Sequence, residues 1–163
     1  MKAIEEVYRQ YASTVYRYLL SLTRSSDIAE ELTQETFYRA IRASDRYDGS
    51  CSITTWLCAI AKRVRLEHAR KHPANEDISV QAIPTGSAEE EVMASEGRLE
   101  IMRRLHAMPE PTREVMYLRI FGGLAFKEVG EVLGMTENRA RVIYYRGKEK
   151  LRKELDENVQ NTL

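Results

Sequence analysis

The stretch that most limits how this chain can fold is residues 124–155, LAFKEVGEVLGMTENRARVIYYRGKEKLRKEL. Gly134 suits the left-handed conformation that ends a helix, and the Thr136 hydroxyl suits the cap of the next helix, where it accepts a backbone N–H bond. A short apolar-periodic helix, a tight turn and a longer helix therefore follow one another. This order predicts a helix-turn-helix.

The second helix of this unit has an apolar and a basic face. Helical spacing predicts that its apolar stripe packs against that of the first helix. The two stripes are Ala140, Tyr144, Gly147 and Leu151 on the second helix, and Val129, Val132 and Leu133 on the first. Between residues 137 and 153, seven Arg or Lys outnumber two Glu. Such a helix suits the major groove of DNA, because phosphates attract the charge and Arg can pair with guanine edges. The alternative is a solvated charged face on an ordinary bundle helix.

Composition excludes several classes of protein. The 163 residues are 43% hydrophobic and 31% charged, and no apolar run approaches the ~20 residues that cross a membrane. The beginning, MKAIEEVYRQ, carries acids and lacks the apolar core of a secretion signal, so we expect a cytoplasmic protein.

Net charge is zero, but basic residues concentrate at 62–71 and 137–153, and acidic ones at 27–35 and 89–91. This segregation predicts two kinds of partner, nucleic acid and a basic or amphipathic protein surface.

The cysteines and histidines give only weak support for a metal site or a catalytic site. Cys51 and Cys58 are predicted to be reduced and structural. A metal site of Cys58 with His68 and His72 is conceivable, but no Cys-x-x-Cys pair or acidic ligand supports it, so we predict neither metal nor cofactor. A Gly-rich phosphate loop and a catalytic triad are both missing from the sequence, so an enzyme is not expected.

The rest of the chain also has helical periodicity. Helices are predicted at residues 1–23, 28–44 and 53–71, with Ser26 or Asp27 capping the second and Trp56 of the third in the core. An Asp-Gly-Ser turn at 48–50 interrupts the chain before the third helix. Residues 73–88 have two prolines, a glycine and no periodicity, as in a linker. Helical pattern resumes near residue 89, stops at 109–111 and restarts at 112.

Two segments together resemble the extracytoplasmic-function class of bacterial sigma factors. Residues 29–49 and 54–71 are similar to sigma region 2, and residues 108–151 are similar to region 4. Each motif alone is moderately specific, whereas the pair in this order and spacing is strongly specific. The resemblance implies an all-α protein of two small helical domains. They are region 2, a bundle of three to four helices, at residues 1–72, and region 4 at 89–157, joined by a flexible linker at 73–88 and followed by a tail at 158–163.

The resemblance also implies that the chain binds core RNA polymerase, through the beta-prime coiled coil and the beta flap. The positions that match the stretch of region 2 gripping the coiled coil are Glu31, Gln34, Glu35 and Phe37. A helix face with carboxylate, amide and apolar atoms suits a basic partner helix. Without the second domain, a solvated amphipathic helix would be the preferred interpretation.

Promoter contacts are implied in both regions. Loop 47–53 and the helix after it match the part of region 2 that melts the −10 element and captures a flipped base, which requires a pocket and cations that follow the backbone. Relatives often carry Asn at the position of Arg63, so the identity of that base is not carried over. For Arg65 and Arg70, a snorkelling basic face is a competing interpretation. The −10 residues implied are Tyr47, Trp56, Lys62, Arg63, Arg65 and Arg70.

In region 4, the positions that face the −35 element are Asn138, Arg139, Arg141, Val142, Tyr145 and Arg146. Two residues depart from the family. Gly130 stands where Ala is customary, and Ile143 stands where many relatives place a basic residue. We therefore expect fewer phosphate contacts on the side of Ile143.

The function implied is that of a transcription initiation factor, which binds core polymerase and promoter DNA, has no small-molecule substrate and is inhibited by an anti-sigma factor. The alternative is a stand-alone helix-turn-helix regulator that binds a palindromic operator as a dimer. The regulator would bind DNA without polymerase. A sigma factor would be a monomer whose specific DNA binding requires core enzyme.

Overall fold

The computed structural model describes residues 4–73 and 96–161, and every regular element in these two segments is a helix. The first segment contains α1 (Ile4–Thr23), α2 (Ser26–Arg42), a 3-10 turn (Ser44–Arg46) and α3 (Ile53–Lys71). The second contains α4 (Glu96–Ala107), α5 (Thr112–Ile120), α6 (Phe126–Leu133) and α7 (Glu137–Asn161). The predicted all-α fold is confirmed. Residues 74–95, which include most of the predicted linker and the expected beginning of the fourth helix, lie outside the described residues.

Local signals account for most helix limits. α3 has the limits that the periodicity predicts, and Ser52 caps it, since its Oγ accepts the Thr55 N–H at 3.2 Å. The cap of α2 is Ser25, whose Oγ accepts the Ile28 N–H at 3.3 Å. The prediction of Ser26 or Asp27 was wrong by one or two residues. α7 continues to Asn161, beyond residue 157, where we expected the polar tail to begin. Among the residues described, no helix has the length and apolar content needed to cross a bilayer.

The helices α1, α2 and α3 pack around a shared apolar interior. Leu19 of α1 and Leu57 and Ala61 of α3 are fully buried there. The buried Thr36 hydroxyl donates to the Leu32 carbonyl at 2.7 Å, so its polar group is satisfied within α2. Trp56 is only partly buried at the edge of this interior, so its predicted place in the core was wrong.

The two described segments pack against each other. α1 contacts α5, and α3 contacts α6. Val115 and Leu118 of α5 and Val129 of α6 are buried in the same cluster as the interior of α1–α3. Each such side chain contributes about 1.5–3 kcal/mol when it leaves water. The two halves of the chain therefore share an apolar cluster in this arrangement.

The helix-turn-helix forms with the predicted turn chemistry. Gly134 ends α6 in the left-handed conformation with φ of 70°, and Thr136 Oγ1 accepts the Arg139 N–H at 3.1 Å. The turn is tight, because the Met135 N–H donates to the Gly130 carbonyl at 3.0 Å. A Cβ at Gly130 would lie 2.5 Å from the Met135 oxygen, so the customary Ala needs a wider turn than this one.

The apolar stripe of α7 has two neighbours instead of the single one predicted. Ala140 is fully buried in the cluster that contains α6, and the Tyr144 ring lies 5.4 Å from that of Phe126. Gly147 and Leu151 instead pack on the preceding helices. A Cβ at Gly147 would lie 3.0 Å from Met116 Sδ of α5, and Leu151 is buried with Leu105, Met108 and Met116. The prediction was wrong for these two residues, because α6 has only eight residues and covers only the first turns of α7.

Candidate nucleic-acid interface

The outer face of α7 presents all six residues that were predicted to face DNA. Asn138, Arg139, Arg141, Val142, Tyr145 and Arg146 are exposed. The Arg141 guanidinium donates to Glu137 at 3.1 Å and lies 5.4 Å from the centre of the Phe126 ring. Tyr145, at 53% exposure, packs edge-on against Tyr144 at 5.3 Å. These contacts orient a surface of guanidinium, amide and aromatic groups that could donate to base edges and phosphates. Ile143 packs against the core and adds no cation there.

A second candidate surface lies at the loop before α3. The Tyr47 and Trp56 rings lie 5.0 Å apart, and the Tyr47 hydroxyl donates to the Cys51 carbonyl at 2.6 Å. The predicted turn is present, since Asp48 Oδ1 accepts the Ser50 N–H at 2.9 Å and Gly49 has φ of 79°. We call these two rings the aromatic pair. Partly exposed rings of this kind are suited to stacking an unpaired base.

The predicted −10 cations do not form one surface, because they lie on different sides of α3. Arg63 and Arg70 are exposed. Arg65 Nη2 lies 3.4 Å from the Leu22 carbonyl oxygen, towards the rest of the chain. Lys62 donates to Glu114 of α5 at 2.6 Å, and its position on the α5 side of the helix explains why it is not free to contact DNA in this arrangement. Burial raises the pKa of Glu114, although the bond from Lys62 acts in the opposite direction.

Glu128 of α6 connects the helix-turn-helix to the beginning of α3. Its Oε2 accepts hydrogen bonds from the Thr55 hydroxyl at 2.5 Å and the Ser52 hydroxyl at 3.0 Å, and its Oε1 accepts the Ala125 N–H at 3.0 Å. Hydrogen bonding, first of all from Thr55, lowers the pKa of this carboxyl. Sequence reasoning missed the contact, because no local pattern relates a carboxylate to hydroxyls more than 70 residues away.

The predicted polymerase-binding residues on α2 are divided between surface and core. Glu31 and Gln34 are exposed, and Glu35 is partly exposed and accepts a 3.0 Å bond from Arg39. Phe37 does not belong to this surface. Its ring is 5% exposed and packs edge-on against Tyr8 at 5.0 Å, because its position on α2 faces α1.

Exposed apolar residues on the same helix were not predicted. Tyr38 is 55% exposed and Ile41 is 41% exposed. Tyr38 follows Gln34 by one helical turn, so its outward position could have been predicted from the helical period. The Arg42 guanidinium lies 5.7 Å from the centre of the Tyr38 ring.

The cysteines and histidines occupy ordinary structural positions. Cys51 and Cys58 are free, and burial raises the pKa of the Cys58 thiol to about 12. The His68 and His72 rings stack at 4.4 Å. Within residues 4–73 and 96–161, no group of three or more His, Cys, Asp or Glu side chains is arranged to hold a metal ion.

Comparison with known families identifies both halves of the chain. The Sigma-70 region 2 family matches residues 7–74, and the Sigma-70 region 4 family matches residues 98–151. The chain therefore belongs to the sigma-70 family of RNA polymerase sigma factors, in its extracytoplasmic-function class. It is a transcription initiation factor and not an enzyme. The family matches do not favour the alternative of a stand-alone helix-turn-helix regulator.

Relatives match over nearly the whole length. The chain is 31% identical to the sigma factor SigM of Bacillus subtilis, over 91% of this chain and 93% of the relative. It is 32% identical to CarQ of Myxococcus xanthus, over 95% of this chain and 90% of the relative. The sigma factor RpoE of Bartonella quintana, solved with the anti-sigma factor NepR, matches with a TM-score of 0.74 at 16% identity, over 96% of this chain and 98% of that one. CnrH, solved with the cytosolic domain of CnrY, matches with a TM-score of 0.67 at 19% identity, over 95% of this chain and 88% of that one. At these identities the two structures show a shared fold.

Proposed function

We propose that this chain binds core RNA polymerase and directs it to promoters by contacting the −10 element through residues 1–72 and the −35 element through residues 89–157. Residues 73–88 are the linker between the two domains. The exposed face of α7 carries this proposal, since it combines Arg141, Tyr145 and Arg146 on one surface with a stripe behind it that anchors the helix.

At the −10 element, the aromatic pair stacks an unpaired base of the melted strand. Arg63 and Arg70 are exposed and follow the phosphate backbone. Lys62 and Arg65 lie on the other side of α3, so Lys62 contacts DNA only after its ion pair with Glu114 separates. Contact of Lys62 with DNA therefore requires α5 to move away from α3 at this point.

The polymerase-binding surface is the exposed face of α2. Glu31, Gln34 and Glu35 contribute polar groups, and Tyr38 contributes apolar area beside them. Charge and apolar surface together suit a basic partner helix such as the beta-prime coiled coil. Phe37 contributes indirectly. It is buried below this face, where its contact with Tyr8 holds α2 on α1.

An anti-sigma factor is a further partner in this proposal, because the structural neighbour RpoE was solved with the anti-sigma factor NepR. The protein acts in the cytoplasm and associates with the nucleoid as part of the holoenzyme.

In vitro run-off transcription tests the proposal. Core polymerase is incubated with a pool of genomic promoters, with and without the protein, and the transcript starts are mapped. We expect a defined set of new starts that share two spaced sequence elements. Absence of new starts, together with tight and selective DNA binding by the isolated protein, would contradict it and support the dimeric regulator.

A further inference from the structure

A cavity of 370 Å³ lies where the turn after α1, the second half of α3 and the start of α5 meet. Its lining includes five basic side chains. They are Arg24, Arg65, Arg113, His68 and His72, and one carboxylate, Glu110, accompanies them. Its walls come from both halves of the chain. Only Arg65 belongs to the residues proposed to contact DNA.

Arg113 is a buried cation whose bonding capacity is only partly used. Its side chain is 5% exposed, and it donates to the Glu110 carboxylate at 2.8 Å and to the Met108 and His106 carbonyls at 3.0 and 3.5 Å. Its Nε has no hydrogen-bond partner among the described residues. Burial, and next the charge of Arg24, lower the pKa of this guanidinium. A buried donor without an acceptor is costly, so the fold holds this guanidinium here at an energetic cost.

Arg24 brings a second guanidinium to the same place on an unusual backbone. Its φ of 55° is in the left-handed region that favours glycine, and its N–H ends α1 by donating to the Leu20 carbonyl at 2.8 Å. Its Nη2 donates to the His106 carbonyl of α4 at 3.3 Å, so the side chain spans the two halves. Glycine would fit this backbone without strain. The specific contribution of arginine here is therefore its charged side chain.

We propose that this cavity binds the phosphate group of a small molecule, with Arg24 and Arg113 as its principal ligands. Guanidinium forks match phosphate oxygens, and converging cations repel one another until an anion lies between them. The volume admits a phosphate or pyrophosphate group, whereas a DNA duplex is far too wide for it. Because both halves form the walls, the ligand stabilises the packing of α5 on α1 and α3. The site exists in the packed arrangement of the two halves and does not depend on promoter recognition.

Isothermal titration of inorganic pyrophosphate into the full chain, against sodium chloride at matched ionic strength, tests the site. Arg24→Gly removes one guanidinium while keeping a residue suited to the left-handed backbone. Arg103→Ala, at a side chain that is 74% exposed on α4, removes the same charge elsewhere and is the control. We expect saturable one-site binding by the wild type and by Arg103→Ala. Binding by Arg24→Gly should be weaker by about tenfold or more, as for the loss of a charge-assisted hydrogen bond.

Two further measurements distinguish a phosphate site from unfolding of the variant and from nucleic-acid binding. Arg24→Gly relieves backbone strain but loses the 3.3 Å bond to His106, so its thermal unfolding is measured to show that it stays folded at the temperature of the titration. A single-stranded oligonucleotide should bind no more tightly than pyrophosphate at this site. Absence of saturable binding by the wild type, equal binding by all three proteins, or an oligonucleotide that binds more tightly and depends on Arg24 would each overturn the proposal.

Discussion

Lys62 of α3 and Glu114 of α5 form an ion pair with 2.6 Å between Nζ and Oε1, and the Glu114 side chain is only 4% exposed. The pair links residues 52 positions apart, one from each half of the chain. The Glu114 carboxylate has left water to form it, so the net stabilisation from the complete pair is small. The Glu114 carboxylate left without Lys62 at this buried site would be unfavourable.

We expect Lys62→Met to destabilise the protein by about 3–5 kcal/mol, since it leaves the Glu114 carboxylate buried without a partner. Adding Glu114→Gln should recover most of the loss, because the unpaired charge is then gone. Urea unfolding of the wild type, both single variants and the double variant gives the coupling energy. Additive effects of the two changes would show that the pair does not form in solution.

The pH dependence of Glu128 follows from its hydrogen bonds. Its pKa is lower in the folded protein than the ordinary value of about 4.3, so its contribution to the free energy of unfolding is present above that value. The contribution is lost as pH falls through the lowered folded pKa. The difference in stability between wild type and Glu128→Gln should therefore be largest near neutral pH and shrink in acid.

Urea unfolding at a series of pH values measures that difference. Glu131→Gln removes the same charge from an exposed position on the same helix and controls for net charge. A gap between wild type and Glu128→Gln that stays constant from neutral to acid pH would contradict the prediction.

The turn of the helix-turn-helix depends on the left-handed conformation of Gly134. Gly134→Ala should destabilise the protein by about 1–2 kcal/mol, because a Cβ is unfavourable at φ of 70°. Gly134→Asn should cost less, since asparagine tolerates this conformation. Thermal unfolding of the three proteins tests the order glycine, asparagine, alanine. Equal stability of the Ala and Asn variants would show that backbone conformation does not govern the turn.

Two arginines on α7 should determine −35 recognition. Arg141→Ala and Arg146→Ala should each weaken it by about 1–3 kcal/mol for every base with which the arginine pairs, and should relax selectivity at that base. A residue that touches only phosphate would instead weaken all sequences alike. Arg152→Ala is the control, at a side chain that is 71% exposed further along the same helix. The measurement is competition between matched and mutated −35 elements for the holoenzyme. Loss of selectivity in the control alone would refute the assignment.

Charge reversal on α2 should separate polymerase binding from folding. Glu35→Arg should weaken association with core polymerase, because it places a cation on a face proposed to meet a basic helix. Stability should change little, since the pair of Glu35 with Arg39 is partly exposed and Arg39 keeps its bond to Glu67. Glu30→Arg, exposed and about 140° around the helix from Glu35, is the matched control. Co-purification with polymerase at wild-type level for Glu35→Arg would remove that residue from the interface.

Features that depend on neighbouring residues could be predicted from the sequence. Helix α3, the Gly134 turn and the Thr136 cap were predicted because propensity, capping and periodicity act within a few residues. The outward position of the α7 residues followed from the same periodicity. Membership of the sigma-70 family also followed, because two motifs in the right order restrict the possibilities more than either one does.

The tertiary structure decided which neighbour covers each face. A helical period indicates that Phe37 and Leu151 point inward, but it cannot show that Tyr8 covers the first and Met116 the second. Nor does it show that Lys62, which the motif assigned to DNA, pairs with Glu114, or that Arg24 and Arg113 line one cavity. These contacts join residues far apart in the chain, and they exist only because packing of the two halves brings charged groups together in a place with little water.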